Sequence, residues 1–100
     1  MILYNVTVKV EVSVHDEWLQ WMKTVHIPDV LKTGFFVEYK MGRILGQDES
    51  DGISYSVQYF CESMALLAQY QKEHAVRLQA AHAEKYKNKY VAFRTLIELI

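Results

Sequence analysis

The stretch of residues 52–61 alternates in side-chain character, and this alternation limits the possible folds more than any other feature of the chain. One set of alternate residues is large and mostly apolar: Ile53, Tyr55, Val57, Tyr59 and Cys61. The residues between them are small or polar, except for Phe60 near the end. Because the side chains of a strand point alternately to its two faces, the pattern predicts a strand with two unlike neighbours.

Three more strands and two helices are predicted from similar patterns. The strands are expected at residues 2–12, 35–45 and 90–100, where β-branched and aromatic residues are frequent. The first helix begins near Val14 with an apolar stripe, and Pro28 predicts a kink or a restart before Gly34. The second helix begins at the N-cap Ser63 and continues to about Lys87.

The order strand, helix, strand, strand, helix, strand predicts one α+β domain over residues 1–100. With right-handed crossovers, this βαββαβ order gives a ferredoxin-like antiparallel sheet of spatial order 4-1-3-2, with both helices on one face. A domain of this length buries only a little over ~60% of the surface that its unfolded chain exposes. Self-association through the bare sheet face would add burial, so we expect a homodimer in which two sheets meet face to face.

The predicted dimer interface is a patch on the bare face of the sheet, since contiguous apolar surface on a small domain usually marks a contact. Its members are Leu3, Phe36, Ser54, Ser56, Gln58, Phe60, Arg94, Leu96 and Ile100. The small serines would let two sheets approach. Arg94, together with Glu38 and Glu98, would form part of a polar dimer interior.

Composition excludes several classes of partner. The chain has 11 Lys and Arg against 12 Asp and Glu, so its charge does not call for nucleic acid or an anionic membrane. No apolar run approaches the ~20 residues of a membrane span, and no secretion signal is visible, which predicts a cytoplasmic protein. The single cysteine, Cys61, fits a reducing compartment and a buried position. The four histidines lack the spacing of metal ligands, so neither a metal nor another cofactor is expected.

The helix-facing side of the sheet is the expected place of a ligand site. Its predicted ligand-binding residues are Tyr4, His26, Tyr39, Tyr59, Tyr70 and His74. Aromatic walls with a few polar tips suit a small aromatic or apolar molecule, and His26 and His74 are the candidates for a proton-transfer group. The alternative is that these tyrosines fill a thin core and find hydrogen-bond partners for their hydroxyls there.

Five segments carry a resemblance to a known family. They read YNVTV, HDEWLQWMKTVHIPDVLKTGFF, YSVQYFCES, QKEHAVRLQAAHAEKY and YVAFRTLIEL. They resemble a small bacterial family, mostly of Bacteroidetes-type genomes, that is catalogued as a domain of unknown function. The order of elements and the turn from His26 to Pro28 are similar to the dimeric α+β barrel superfamily, which includes antibiotic-biosynthesis-type monooxygenases and muconolactone isomerases.

The resemblance implies that the homodimer is a dimeric α+β barrel. There are two alternatives to simple ligand binding, and the resemblance implies the first of them. One is an enzyme that carries out cofactor-independent oxygenation or isomerises an activated ring. The other is a structural or interaction module without a ligand. A fold-level likeness alone does not assign a reaction.

Overall fold

A four-stranded antiparallel sheet forms one layer of the protein in the computed structural model, which describes residues 1–100. The strands are β1 (Ile2–Val10), β2 (Glu38–Arg43), β3 (Ile53–Cys61) and β4 (Tyr90–Glu98). Their spatial order is β2-β3-β1-β4, with β3 and β1 in the centre. The predicted order 4-1-3-2 and the ferredoxin-like α+β fold are therefore confirmed.

Two helical runs form the second layer, and each contains a wide π-helical turn. The first run, which a 3₁₀ turn precedes, comprises α1 (His15–Trp21), a π turn (Met22–His26) and α2 (Ile27–Lys32). The second run comprises α3 (Met64–Tyr70), a π turn (Gln71–Ala75) and α4 (Val76–Lys85). Pro28 lies in the first turn of α2, where its missing N–H matters least. Ser63 caps α3, since its hydroxyl accepts a hydrogen bond from the Leu66 amide at 3.2 Å.

The register of β1 fixes which side chains share a face of the sheet. Residues directly opposite each other in an antiparallel pair point to the same side. Tyr4 lies opposite both Tyr59 and Leu96, and Val6 lies opposite Arg94. Tyr4 and Tyr59 are buried, so this face is the one that the helices cover. The other face is bare, and it carries Leu3, Asn5, Thr7, Lys9, Ser54, Ser56, Gln58, Phe60, Val91, Phe93, Thr95 and Ile97.

This register corrects three of the predicted interface positions. Arg94 and Leu96 were expected on the bare face but lie on the helix-facing side, opposite Val6 and Tyr4. Ile100 lies beyond the end of β4 and is fully exposed. The physical reason is that β4 has apolar residues at both odd and even positions, so alternation does not distinguish its faces. Leu3, Ser54, Ser56, Gln58 and Phe60 do lie on the bare face.

Phe36 is a fourth correction, because it belongs to the core. Its ring centroid lies 4.7 Å from that of Tyr70, 5.2 Å from Tyr59 and 6.1 Å from Tyr4. Packing of this ring toward the helices delays the start of β2 to Glu38, three residues later than predicted. No helix of the fold combines the length and the apolar character that crossing a membrane requires.

Candidate functional site

A small cavity lies between the helical runs and the sheet. Its volume is about 40 Å³, and 11 of its 15 lining residues are hydrophobic. Apolar wall positions include Val8, Val57 and Leu78, whereas polar groups come from both helical runs and from β4. A cavity of about 150 Å³ holds a benzene ring, and a water needs roughly 10–15 Å³. In this conformation the enclosed space therefore fits a few atoms of a ligand.

Four of the six predicted ligand-binding residues line this cavity. Tyr4 and Tyr59 approach it from the central strands, His26 from the first π turn and Tyr70 from the end of α3. π-helical turns are frequent at functional sites. Tyr39 shares the face of Tyr59, but it is 41% exposed on the edge strand β2 and does not reach the cavity.

His74 does not line the cavity either, contrary to prediction. It lies in the second π turn, where its ring faces Phe35 with centroids 5.7 Å apart. Its Nδ1 accepts a hydrogen bond of 3.2 Å from Arg77, and the groove beside it is a surface feature shared with Lys32. Its ring stays 6.2 Å from that of Tyr70, but its contacts with Phe35 and Arg77 keep it at the surface groove, and Leu78 of the following helix lines the cavity instead.

Arg94 lines the cavity from β4, and the sequence prediction missed this position. Its Nε donates a hydrogen bond to the Tyr4 hydroxyl at 3.1 Å. Arg94 is the one formally charged side chain among the lining residues. It also forms no ion pair with a carboxylate, in contrast to Arg43, which binds Glu49 through two contacts of 2.6 and 2.9 Å. Arg94 is exposed, so it brings one positive charge without a carboxylate partner to the edge of the cavity.

His82 is the second lining residue that the prediction missed, and the tautomer of its ring is defined. Its Nε2 lies 2.9 Å from the indole Nε1 of Trp18. An indole N–H can only donate, so Nε2 is the acceptor and the neutral ring carries its proton on Nδ1. Burial, with smaller contributions from His26 and Arg94, lowers the pKa of His82 to about 4. His82 is therefore neutral at pH 7.

His26 is the lining histidine whose nitrogens make no hydrogen bond within the chain. Its ring stacks on Trp21 at 5.0 Å and lies 5.7 Å from the ring of His82. Burial lowers the pKa of His26, Asp29 partly raises it, and Arg94 lowers it again. A neutral imidazole with a free nitrogen can accept a proton, so His26 stays a candidate for the proton-transfer group.

The tyrosine hydroxyls add donors to the same region. Burial raises the pKa of Tyr59 and of Tyr70 well above the ordinary value, and Tyr4 contributes to both shifts. These two side chains remain protonated at every physiological pH. The structure shows no hydrogen bond from either hydroxyl to another group of the chain. Nowhere do three or more His, Cys, Asp or Glu side chains form a group that could hold a metal ion.

The sequence identifies the family of the chain. Residues 1–100 match the family described as "Domain of unknown function (DUF4286)". The chain belongs to this family. No curated protein matches the sequence.

Solved structures similar to this DUF4286 protein share its fold. An ethyl tert-butyl ether degradation (EthD) family protein from Bacillus halodurans has a TM-score of 0.70 at 17% identity, with 100% of each chain covered. A protein assigned as an antibiotic biosynthesis monooxygenase from Deinococcus radiodurans has a TM-score of 0.70 at 18% identity, covering 100% of this chain and 93% of that one. A dimeric ferredoxin-like protein from an uncultured marine organism has a TM-score of 0.72 at 10% identity, covering 100% and 95%. At these identities the likeness shows the fold alone.

Proposed function

We propose that this DUF4286 protein binds a small, largely apolar molecule in the cavity between the helices and the sheet. The observation that carries the proposal is the cavity itself, whose mostly apolar wall bears a few convergent polar groups. Voids of this kind are rare in close-packed interiors, and such a lining is typical of ligand sites. His26, Tyr4 and Arg94 supply the groups that would orient the ligand.

The cavity volume sets a condition on the ligand. An aromatic ring needs more than the 40 Å³ enclosed here. Gln79 and Arg94 are lining residues that keep solvent exposure, and Arg94 lies on the edge strand β4. We expect these long side chains to swing outward when an aromatic ligand enters, while the buried tyrosines stay in place.

An enzyme is the second candidate function, and the free nitrogen of His26 favours it. Neutral His26 beside the positive charge of Arg94 could remove a proton from a carbon or an oxygen whose negative charge Arg94 then stabilises. An antibiotic biosynthesis monooxygenase shares the fold, and cofactor-independent oxygenation or isomerisation are the reaction classes to test. A module without a ligand is the remaining alternative, in which the polar groups only complete the core.

We further propose that the protein acts as a homodimer, with a second copy on the bare face of the sheet. The centre of this face is a flat polar network in which Asn5 donates to Thr7 and Ser56 donates to Asn5. Exposed apolar side chains flank it, and Phe93 is 62% exposed. A fold relative is described as dimeric. The free, buried Cys61 is compatible with the reducing cytoplasm as the location.

A fragment screen by ligand-observed NMR, followed by thermal-shift titration, tests the ligand site. His26→Ala should leave the unliganded melting temperature nearly unchanged and abolish the shift caused by bound fragments, while His74→Ala, outside the cavity, should preserve that shift. If His26→Ala lowers the melting temperature and the wild type binds no fragment, the tyrosines and histidines form a core and not a pocket.

A further inference from the structure

Arg94 brings a positive charge to the edge of the cavity. Its Nε binds the Tyr4 hydroxyl, and no carboxylate lines the cavity to balance its charge. Asp29 influences His26 but is exposed on α2, and Glu98 shares the Arg94 face of β4 without lining the cavity. Arg94 is exposed on the edge strand, so water screens its charge, but its bond to Tyr4 holds Nε at the cavity, and a charge-assisted hydrogen bond to an anionic oxygen is stronger than one to a neutral group.

The hydrogen-bonding groups of the same region are mainly donors. The Tyr4 hydroxyl accepts from Arg94, so its own proton is free for another acceptor. Tyr59 and Tyr70 bring two more hydroxyls, and His82 carries its proton on Nδ1 because Nε2 accepts from Trp18. Donors around one cation match the oxygen of an anion and match a second cation poorly.

We infer that the ligand is a small apolar molecule with an anionic oxygen, which Arg94 and the Tyr4 hydroxyl bind at the edge of the cavity. This inference rests on the proposed ligand site. Such an anionic oxygen can belong to a carboxylate or to the conjugate base of a phenol or an enol. The apolar body lies against the wall formed by Val30, Val57 and Leu78, and the oxygen faces β4.

Pairs of probes that share an apolar body, one member anionic and the other neutral, test the inference. Isobutyrate is compared with isobutanol, benzoate with benzyl alcohol, and para-nitrophenolate with nitrobenzene, each titrated into the full chain at neutral to mildly basic pH by NMR. We expect at least one anion to bind about tenfold or more tightly than its neutral partner. The carboxylate and phenolate pairs show which source of the anionic oxygen the site prefers.

Variants locate the charge effect. Arg94→Gln should weaken binding of the anion by roughly 10- to 100-fold and leave the neutral probe nearly unchanged. Tyr4→Phe, which removes one hydroxyl, should weaken binding of the anion by a smaller factor. Arg77→Gln removes the same charge outside the cavity and should change the binding of neither probe. Circular dichroism verifies that each variant is folded.

The outcomes separate this inference from the proposed function. Equal binding of both members of each pair, unaffected by Arg94→Gln, overturns the anion inference and leaves the ligand site standing. Equal losses in Arg94→Gln and Arg77→Gln also overturn it, because the effect is then one of net charge. If the wild type binds no probe of either charge, both the ligand site and the anion inference fail.

Discussion

The indole N–H of Trp18 donates a hydrogen bond of 2.9 Å to Nε2 of His82, which joins the first helical run to the second. Both side chains are buried. The bond determines the tautomer of a histidine that lines the cavity, and burial keeps that histidine uncharged at pH 7. The nitrogens of His26, the other lining histidine, make no hydrogen bond within the chain, so the two rings have different roles.

Removal of the Trp18 donor should destabilise the fold. In Trp18→Phe the buried Nε2 of His82 loses its donor and part of the indole volume becomes empty. We expect the free energy of unfolding to fall by about 2–4 kcal/mol, measured by urea denaturation. Trp21→Phe is the matched control, since Trp21 is only half-buried. If the free energy of unfolding falls equally in both variants, the hydrogen bond adds no stability beyond that of the side-chain volume.

His82 should make the fold sensitive to acid. Its pKa in the folded state is about 4 against an ordinary value of 6.5, so the folded state resists protonation. The stability from this group is complete above pH 6.5 and is lost as the pH falls from about 6.5 to 4. Linkage sets the loss at about 3 kcal/mol once the pH is below both values.

Comparison of urea denaturation in wild type and His82→Gln isolates this effect from other titrating groups. Glutamine keeps an acceptor for Trp18 but does not titrate. The free energy of unfolding of His82→Gln should therefore decline less than that of the wild type between pH 6.5 and 4. His74→Gln, which changes a histidine outside the cavity, should follow the wild-type curve. Parallel curves for wild type and His82→Gln would contradict the assignment.

The sequence predicts the fold well because its main strands have unlike faces. In β3, Tyr55, Val57 and Tyr59 alternate with polar residues, and the structure buries all three against the helices. In β4 both alternate sets contain apolar residues, so the sequence offers no preference, and Arg94 was placed on the wrong face. The pairing of Arg94 with Val6 in the structure shows that Arg94 lies on the helix-facing side.

The candidate site is harder to predict because residues on one flank of a helix do not all reach the cavity. The four-residue spacing from Tyr70 to His74 does bring their rings to 6.2 Å, but His74 contacts Phe35 and Arg77 outside the cavity. The spacing from Leu78 to His82 was the available signal for His82, since residues four apart share one face of a helix and both line the cavity. A π turn has no sequence signature as clear as that of a proline or a cap.

The bare face of the sheet should control association. Phe93 is 62% exposed on this face, and Val76, 77% exposed on α4, is a matched apolar residue on the helical layer. Light scattering after size exclusion should show a wild-type dimer, a monomeric Phe93→Asp and a dimeric Val76→Asp, because a buried unpaired carboxylate opposes assembly. A wild type that is a monomer when dilute would remove the proposed dimer.

Two glycines should respond differently to substitution by alanine. A Cβ atom at Gly52 would lie 2.9 Å from Cε of Lys9 and 3.1 Å from the carbonyl oxygen of Val10. The lysine side chain can move, but the carbonyl belongs to the backbone of β1. We therefore expect Gly52→Ala to lower the free energy of unfolding by about 1–3 kcal/mol.

Gly42 on β2 has open space around the position of a Cβ atom. Its φ is not positive, so alanine fits the strand and restricts the unfolded chain. Gly42→Ala should leave stability unchanged or raise it by up to about 1 kcal/mol. Urea denaturation of both variants provides the test. If Gly52→Ala is as stable as the wild type, β1 and the turn before β3 are not in the close contact described.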